Sequence, residues 1–454
     1  MLVQSRHFLL TALVFALLPA ILAPASAKPP PYTEKILYSF SGADGANPQA
    51  TLLLDKQGNL YGVTTSGGSS GNGTAFELTP PPVGQPSVPW SETVLYSFCS
   101  QANCTDGSIP AGLLRDGHGN LYGATIQGGV VNSNCPSGCG TVFKLDTTLN
   151  ETVLYSFCSQ PNCTDGFVPF GELVRDGSGK LYGMTSYGGQ NSCPVDAGSD
   201  GCGTVFKLVP QTKKGKTTYT ETVLYNFAGN PDGATTAGGL IRDASGNLYG
   251  DTYLGGNASC GGIGCGTVFK VGPAGNETVL HRFGGPTGDG AHPGGPAVGL
   301  VRDGTGNLYG VTGDGGSSGC GASSGYGCGT VFEVSPTGNE HMLYNFNGGS
   351  DGSVPLGTLI LNAHNLYGTA INGGIGSCAP QRPNYPFSVG GCGVVFEVSP
   401  TGIETVLYSF TGTAGDGANP YAGLVRDKFG NLYGTTRLGG TNGLGTVFEI
   451  SPVK

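Results

Sequence analysis

The chain has 454 residues, with 84 glycines and 30 prolines, but only 11 % charged residues, 9 % aromatics and a formal net charge of −9. Disorder is excluded, because disordered chains are rich in charge and poor in aromatics, and collagen is excluded because no Gly-X-Y register runs through the sequence. The acidic balance disfavours nucleic-acid binding, which draws on a basic surface.

Residues 1–27 read as a secretory signal: Arg6 supplies positive charge, Phe8 to Leu22 is apolar, and Ala25-Ser26-Ala27 is a small-x-small cleavage site. The apolar stretch is short for a bilayer span and is broken by Pro19, which argues against a membrane anchor. Cleavage before Lys28 leaves a short linker, 28–33, and one domain, 34–454. No later segment is apolar enough to span a membrane, so the expected location is secreted or periplasmic.

From residue 34 onward one unit repeats seven times, at roughly 60-residue steps. The phrase Glu-Thr-Val-Leu-Tyr-Ser-Phe starts, with drift, at Glu34, Glu92, Glu151, Glu221, Glu277, Glu340 and Glu404. An Asp-Gly loop follows, then a run such as Leu300-Val301-Arg302-Asp303, then Asn307-Leu308-Tyr309-Gly310-Val311-Thr312. A Gly-Gly loop of variable length leads to Gly329-Thr330-Val331-Phe332-Glu333-Val334. Each phrase is short, rich in β-formers and bounded by Gly, Pro, Asp or Asn, which is the strand signature.

Seven four-stranded antiparallel units predict an all-β, seven-bladed β-propeller. The rival, a parallel β-helix, needs shorter coils without hairpins. The Leu-Val-Arg-Asp phrase is expected innermost and Glu-Thr-Val-Leu-Tyr-Ser-Phe outermost. Strand 34–40 then completes the last blade beside Thr446-Val447-Phe448, hiding an edge that would invite aggregation.

Antiparallel order sends the Asp-Gly and Gly-Gly loops to one face. That face carries the length changes and all fourteen cysteines, as sequence neighbours: Cys99/Cys104, Cys135/Cys139, Cys158/Cys163, Cys193/Cys202, Cys260/Cys265, Cys320/Cys328 and Cys378/Cys392. An even count in a secreted chain points to disulfides, and local pairing is the simplest connectivity. Zinc is the competing reading, but the spacings drift where zinc ligands keep theirs. Variable loops on a rigid scaffold are where binding tends to reside.

The Asp-Gly loops supply Asp44, Asp106, Asp165, Asp232, Asp289, Asp351 and Asp416. A ring of carboxylates near a channel could hold a cation, but Asp before Gly more often accepts backbone N–H bonds in a turn. The repeated Arg-Asp pairs, Arg115-Asp116 among them, read as turn caps and inter-blade ion pairs. Catalysis would break the symmetry, so the outliers on the variable face are the candidates: Glu172, Asp251 and His292. His281 and His341 fall on outer strands, and His118 and His364 in turns of the other face. A carboxylate pair between Glu172 and Asp251 is conceivable, yet no nucleophile–His–acid set converges. Tyr187, Tyr253, Tyr326 and Tyr385 keep glycan binding open.

The recurring Gly-Asn-Leu-Tyr-Gly-x-Thr … Gly-Gly … Gly-Thr-Val-Phe-Glu-Leu-x-Pro phrase resembles the GloVer tandem repeat of exported bacterial proteins, across nearly all of 34–454. The resemblance implies tandem arrays followed by varied surface anchors and transfers no catalytic residue. This sequence ends at Lys454 just past the last strand, which favours release over anchoring. The expectation is a monomeric extracytoplasmic scaffold binding an extracellular protein, glycan or small molecule, with no cofactor. The alternative is a propeller enzyme: a lyase, lactonase or glycan-active hydrolase at the channel mouth.

Overall fold

Each repeated phrase becomes one strand of an antiparallel sheet in the computed structural model. It describes residues 32–193, 201–236, 238–257, 260–284, 288–294, 299–316, 320, 327–379, 390–413 and 415–453. The signal segment, Tyr326 and Tyr385 lie outside these residues.

Blade 2 shows the plan: Ser108–Arg115 innermost, then Leu121–Gln127, Thr141–Leu145 and Glu151–Ser156 outermost. Blade 7 takes Val425–Arg426, Leu432–Thr436 and Thr446–Pro452 from one end of the repeat region and Tyr32–Ser39 from the other. Tyr32 pairs with Pro452 and Ser39 with Thr446, so the ring closes as the repeat register predicts. The protein is a seven-bladed β-propeller.

The inner strands depart from a plain ladder. In blades 1, 4, 5, 6 and 7 each is split into two short pieces, such as Ala46–Pro48 and Leu53–Leu54. In blades 2 and 3 the strand is continuous but its register shifts, between Pro110 and Gly112 and between Phe170 and Val174. The cause is local. Asn47, Ile109, Val168, Thr235, His292, Val354 and Asn419 hold equivalent places, all left-handed with φ between 55° and 58°. Their N–H groups donate across the seam to the carbonyls of Leu444, Asn72, Cys139, Cys202, Cys265, Cys328 and Cys392. The chain turns out of its own blade to bond the previous one. For β-branched Ile109, Val168 and Val354 that conformation costs roughly 1–2 kcal/mol each, held by a bond repeated at every seam.

Phenylalanine fills those seams. The last residue of each outer-strand phrase meets a third-strand phenylalanine of the next blade edge-on: Phe157 on Phe206 at 4.9 Å, and Phe283 on Phe332 at 5.1 Å. All four are fully buried. The Leu-Tyr-Gly glycine lies directly against the third-strand ring. A Cβ on Gly183 would fall 2.5 Å from Phe206 Cζ. Close ring approach, not backbone freedom, requires glycine there.

The Arg-Asp phrases divide their labour. Asp116 caps its turn by accepting from the N–H groups of His118 and Asn120, and from the Tyr122 hydroxyl. The arginine instead lies over the tyrosine of the preceding blade: Arg115 over Tyr61 at 5.2 Å, Arg175 over Tyr122 at 5.6 Å, and Arg302 over Tyr249 at 5.6 Å. The Arg115–Asp55 ion pair, at 3.9 Å, is the one such Arg–carboxylate contact among the described residues. Inter-blade cation–π stacking thus replaces most of the ion pairs expected from sequence.

Candidate functional site at the channel mouth

The seven inner strands converge on a ring formed by Thr51, Gly112, Glu172, Gly239, Gly299, Thr358 and Gly423. A Cβ on Gly112 would lie 3.0 Å from Glu172 Cγ, and one on Gly423 would lie 2.9 Å from Thr51 Oγ1. Gly239 and Gly299 bridge directly. Glu172 stands in this close-packed ring beside a cavity of about 60 Å³. Glu172 is partly exposed as a residue, and its carboxyl is surrounded by protein. Burial pushes it up to about 7, eased by the Thr51 hydroxyl.

The chain runs from the loop face down each inner strand, so residues preceding the ring line the loop-side mouth. In blades 1 to 3 the mouth holds a cavity of about 270 Å³ lined by Gln49, Ile109, Pro110, Ile126 and Phe170, among others. Gln49 Nε2 donates to Thr65 Oγ1 at 3.0 Å.

At blades 4 and 5 the mouth turns polar. His292 Nδ1 lies 3.1 Å from Asp314 Oδ2, and its ring stacks on Tyr253 with centroids 4.8 Å apart. His292 Nε2 is buried without a hydrogen-bond partner. At blade 7 the Arg437 guanidinium lies over the Tyr421 ring at 5.7 Å, and Arg437 Nε is likewise buried and unpartnered. Asn47 Nδ2 donates to the Arg437 carbonyl at 3.1 Å, fixing that strand end to blade 1.

Asp251 does not lie on this surface. It sits on Leu248–Thr252 of blade 4, opposite Val268, and is 1 % exposed. Neither carboxylate oxygen has a hydrogen-bond partner, and burial alone raises it to about 7. Its sister positions carry Val63, Ala124, Met184, Val311, Thr369 and Thr435. Neither carboxyl acts on the other's proton affinity: burial alone shifts Asp251, and burial with the Thr51 hydroxyl shifts Glu172.

The seven loop aspartates stand at the blade seams, beside outer strands, and form no ring around the channel. Asp106, Asp165, Asp232 and Asp351 accept from Tyr96, Tyr155, Tyr225 and Tyr344 at 2.7–3.0 Å, and Asp44 accepts from Tyr38. Asp416 accepts from Thr411 beside Tyr408, and Asp289 contacts His281. Across each seam stands the first glutamate of the next outer strand. Burial, then its aspartate neighbour, raises Glu34, Glu92 and Glu151 to about 7 and Glu221 to about 8. Glu277, Glu340 and Glu404 are also raised to about 7. A carboxyl with a raised folded-state pKa binds its proton more tightly when folded, so it costs stability as pH rises from about 4 through 7. The turn aspartates Asp116, Asp176, Asp243 and Asp303 are held low instead, and their stabilisation is lost in stronger acid. Melting temperature is therefore expected to peak between about pH 4 and 6 and to fall toward pH 8. A thermal scan that peaks above pH 7 contradicts this.

Disulfides tie each cysteine to its neighbour: Cys99–Cys104, Cys135–Cys139, Cys158–Cys163, Cys193–Cys202, Cys260–Cys265, Cys320–Cys328 and Cys378–Cys392. Five of the second cysteines accept the inter-blade bonds described above. No free cysteine remains, which fits an oxidising compartment. No described helix is long and apolar enough to cross a membrane.

Arg437 escapes a reading that compares only the residue after Leu-Tyr-Gly, and Tyr253, singled out from sequence only as one of four tyrosines, shares its repeat position. The third residue after that glycine reads Thr65, Ile126, Ser186, Tyr253, Gly313, Ile371 and Arg437. The residue just before it is threonine in six of seven copies, and five of those threonines join third-strand threonines at 2.9 Å. A nearly constant position beside a highly variable one is the signal that would have located the mouth.

The fold and its repeated seams define a tandem-repeat propeller with a loop-rich, disulfide-stapled face. The chain belongs to the Gloeobacter/Verrucomicrobia repeat family, whose model matches residues 26–195, 195–381 and 322–454. No curated protein sequence matches it. Among solved structures it resembles the polysaccharide lyase Uly1, with 10 % identity, 92 % of each chain covered and a TM-score of 0.46. It also resembles a putative gluconolactonase, with 15 % identity, 63 % of this chain and 89 % of that one covered, and a TM-score of 0.31. A luciferin-regenerating enzyme matches with 14 % identity, 62 % of this chain and 88 % of that one covered, and a TM-score of 0.35.

Proposed function

We propose that this protein is a secreted or periplasmic scaffold that binds a glycan or small polar ligand at the loop-face mouth of its channel. One observation carries the reading. Features shared by all blades are accounted for by packing, whereas five departures from repetition stand at the mouth: Tyr253, His292 and Asp314 on one side, Tyr421 and Arg437 on another. Aromatic faces beside an unpartnered buried imidazole nitrogen and an unpartnered guanidinium N–H suit a ligand with apolar ring faces and polar edges. The Glu172 constriction below limits how deep such a ligand descends.

The test is a binding screen of soluble oligosaccharides and metabolites on protein with intact disulfides. Saturable binding is expected, weakened at least tenfold by Arg437→Ala or Tyr253→Ala and unchanged by His364→Ala on the opposite face. A ligand whose affinity ignores both mouth substitutions removes the mouth as its site. The enzyme alternative rests on a separate observation: Asp314 orients His292 and leaves Nε2 without a partner, as a proton-transfer group requires. Product release from a polysaccharide or lactone panel, abolished by His292→Ala while binding survives, would establish that reading instead.

A further inference from the structure

Six seams place a tyrosine, a loop aspartate and the next blade's glutamate together. The seam between blades 4 and 5 breaks that pattern, with His281 where the sister strands carry tyrosine. His281 Nε2 lies 2.9 Å from Asp289 Oδ2, and Glu340 from the neighbouring blade completes the group. One ligand atom from each residue lies within 4.8 Å of the other two. Glu340 Oε1 is buried and makes no hydrogen bond.

From this juxtaposition we infer that His281, Asp289 and Glu340 form a binding site for a divalent transition cation such as Zn²⁺, bridging blades 4 and 5. The chemistry differs from the sister seams in one decisive way. A neutral tyrosine hydroxyl donates to its aspartate and offers a metal no good lone pair, whereas a neutral imidazole nitrogen is a strong ligand for zinc. One nitrogen and two carboxylate oxygens form a three-ligand set that leaves a coordination position for water. Ligand-to-metal distances of about 2.0–2.2 Å require the three atoms to sit roughly 3–3.5 Å apart, within reach of small side-chain rotations here.

The charges around the site favour a cation. His281 and Asp289 are the charged or titratable neighbours acting on Glu340. The preceding seam contrasts with this, because Arg282 acts on both Asp232 and Glu277 there. Arg282 itself donates from Nε to the Pro231 carbonyl, away from the His281 seam. The side chains of His281 and Asp289 remain 16 % and 24 % exposed, so an ion can enter from solvent.

The sister seams supply the test. His281→Tyr installs the residue that six equivalent strands already carry, so folding should be preserved. Full-length protein stripped with chelator and titrated calorimetrically with Zn²⁺ is expected to bind one equivalent and to melt at a higher temperature when loaded. Cobalt substitution should give visible absorption bands of a low-coordinate site. His281→Tyr and Glu340→Gln should each weaken Zn²⁺ binding at least tenfold and remove the cobalt bands, while circular dichroism stays unchanged. Absence of a stoichiometric equivalent overturns the assignment. So does binding that survives both substitutions, which would place the ion on surface histidines such as His341 or His364.

Discussion

Asp251→Val is expected to stabilise the protein by about 1–2 kcal/mol below pH 4, and by roughly 4 kcal/mol more than that at pH 8. The wild-type carboxyl is enclosed and unpartnered, and burial alone raises it from 3.8 to about 7. Every tenfold gain in proton affinity corresponds to about 1.4 kcal/mol of preference for the neutral form. Below about pH 4 the group is protonated in both states, and the remaining cost is that of an unpaired neutral carboxyl. Between about pH 4 and 7 the folded state keeps its proton while the unfolded chain releases it, so stability falls as pH rises. Valine occupies the same place in blades 1 and 5, as Val63 and Val311, both 1 % exposed. Chemical denaturation of both proteins across this range measures the difference directly. A gap that does not widen with pH would mean that Asp251 is solvated or paired in the folded state and keeps an ordinary carboxyl proton affinity.

The second large effect concerns the glycines beneath the seam rings. Phe206→Ala should cost about 3–5 kcal/mol, as for other large-to-small changes at fully buried aromatics. Gly183→Ala should cost about 1–3 kcal/mol for the opposite reason, because its new methyl group meets the Phe206 ring. The two are coupled. In a Phe206→Leu background the glycine substitution should become cheaper, since the Cζ and Cε1 atoms it would strike are gone and only Leu173 Cδ2, at 2.8 Å, remains of the three nearest contacts. A double-mutant cycle in denaturant reads this coupling, and simple additivity would show that some other contact fixes the glycine.

The repeat phrases made the fold legible. Their turn residues and β-formers marked the strands, and the register of Glu34 against the last Thr-Val-Phe phrase already implied the closing strand. The inner-strand crossings were hidden. Ile109, Val168 and Val354 are β-branched, and nothing in such residues advertises a left-handed backbone. Only the cross-seam bond to the previous blade selects it. The candidate site was half legible. Glu172 and His292 stood out as breaks in repetition and do line the channel region, but whether Asp251 faced solvent or core depended on packing beyond its own strand. Arg437 went unnoticed because basic residues are common at strand ends, and its importance rests on Tyr421 and on a buried Nε without a partner.

The shared last blade has a consequence for biosynthesis. Each disulfide joins cysteines at most 14 residues apart, so oxidation can follow the growing chain one loop at a time. Ring closure cannot, because Tyr32–Ser39 is made first and its partner Thr446–Pro452 last. Until then the first strand carries an unpaired edge, and the contact that finally buries it has the longest sequence separation in the molecule, the kind that slows folding. The protein thus acquires its cross-links early and its topology late, and the interval between them is when a nascent chain has most to gain from a chaperone on its first strand.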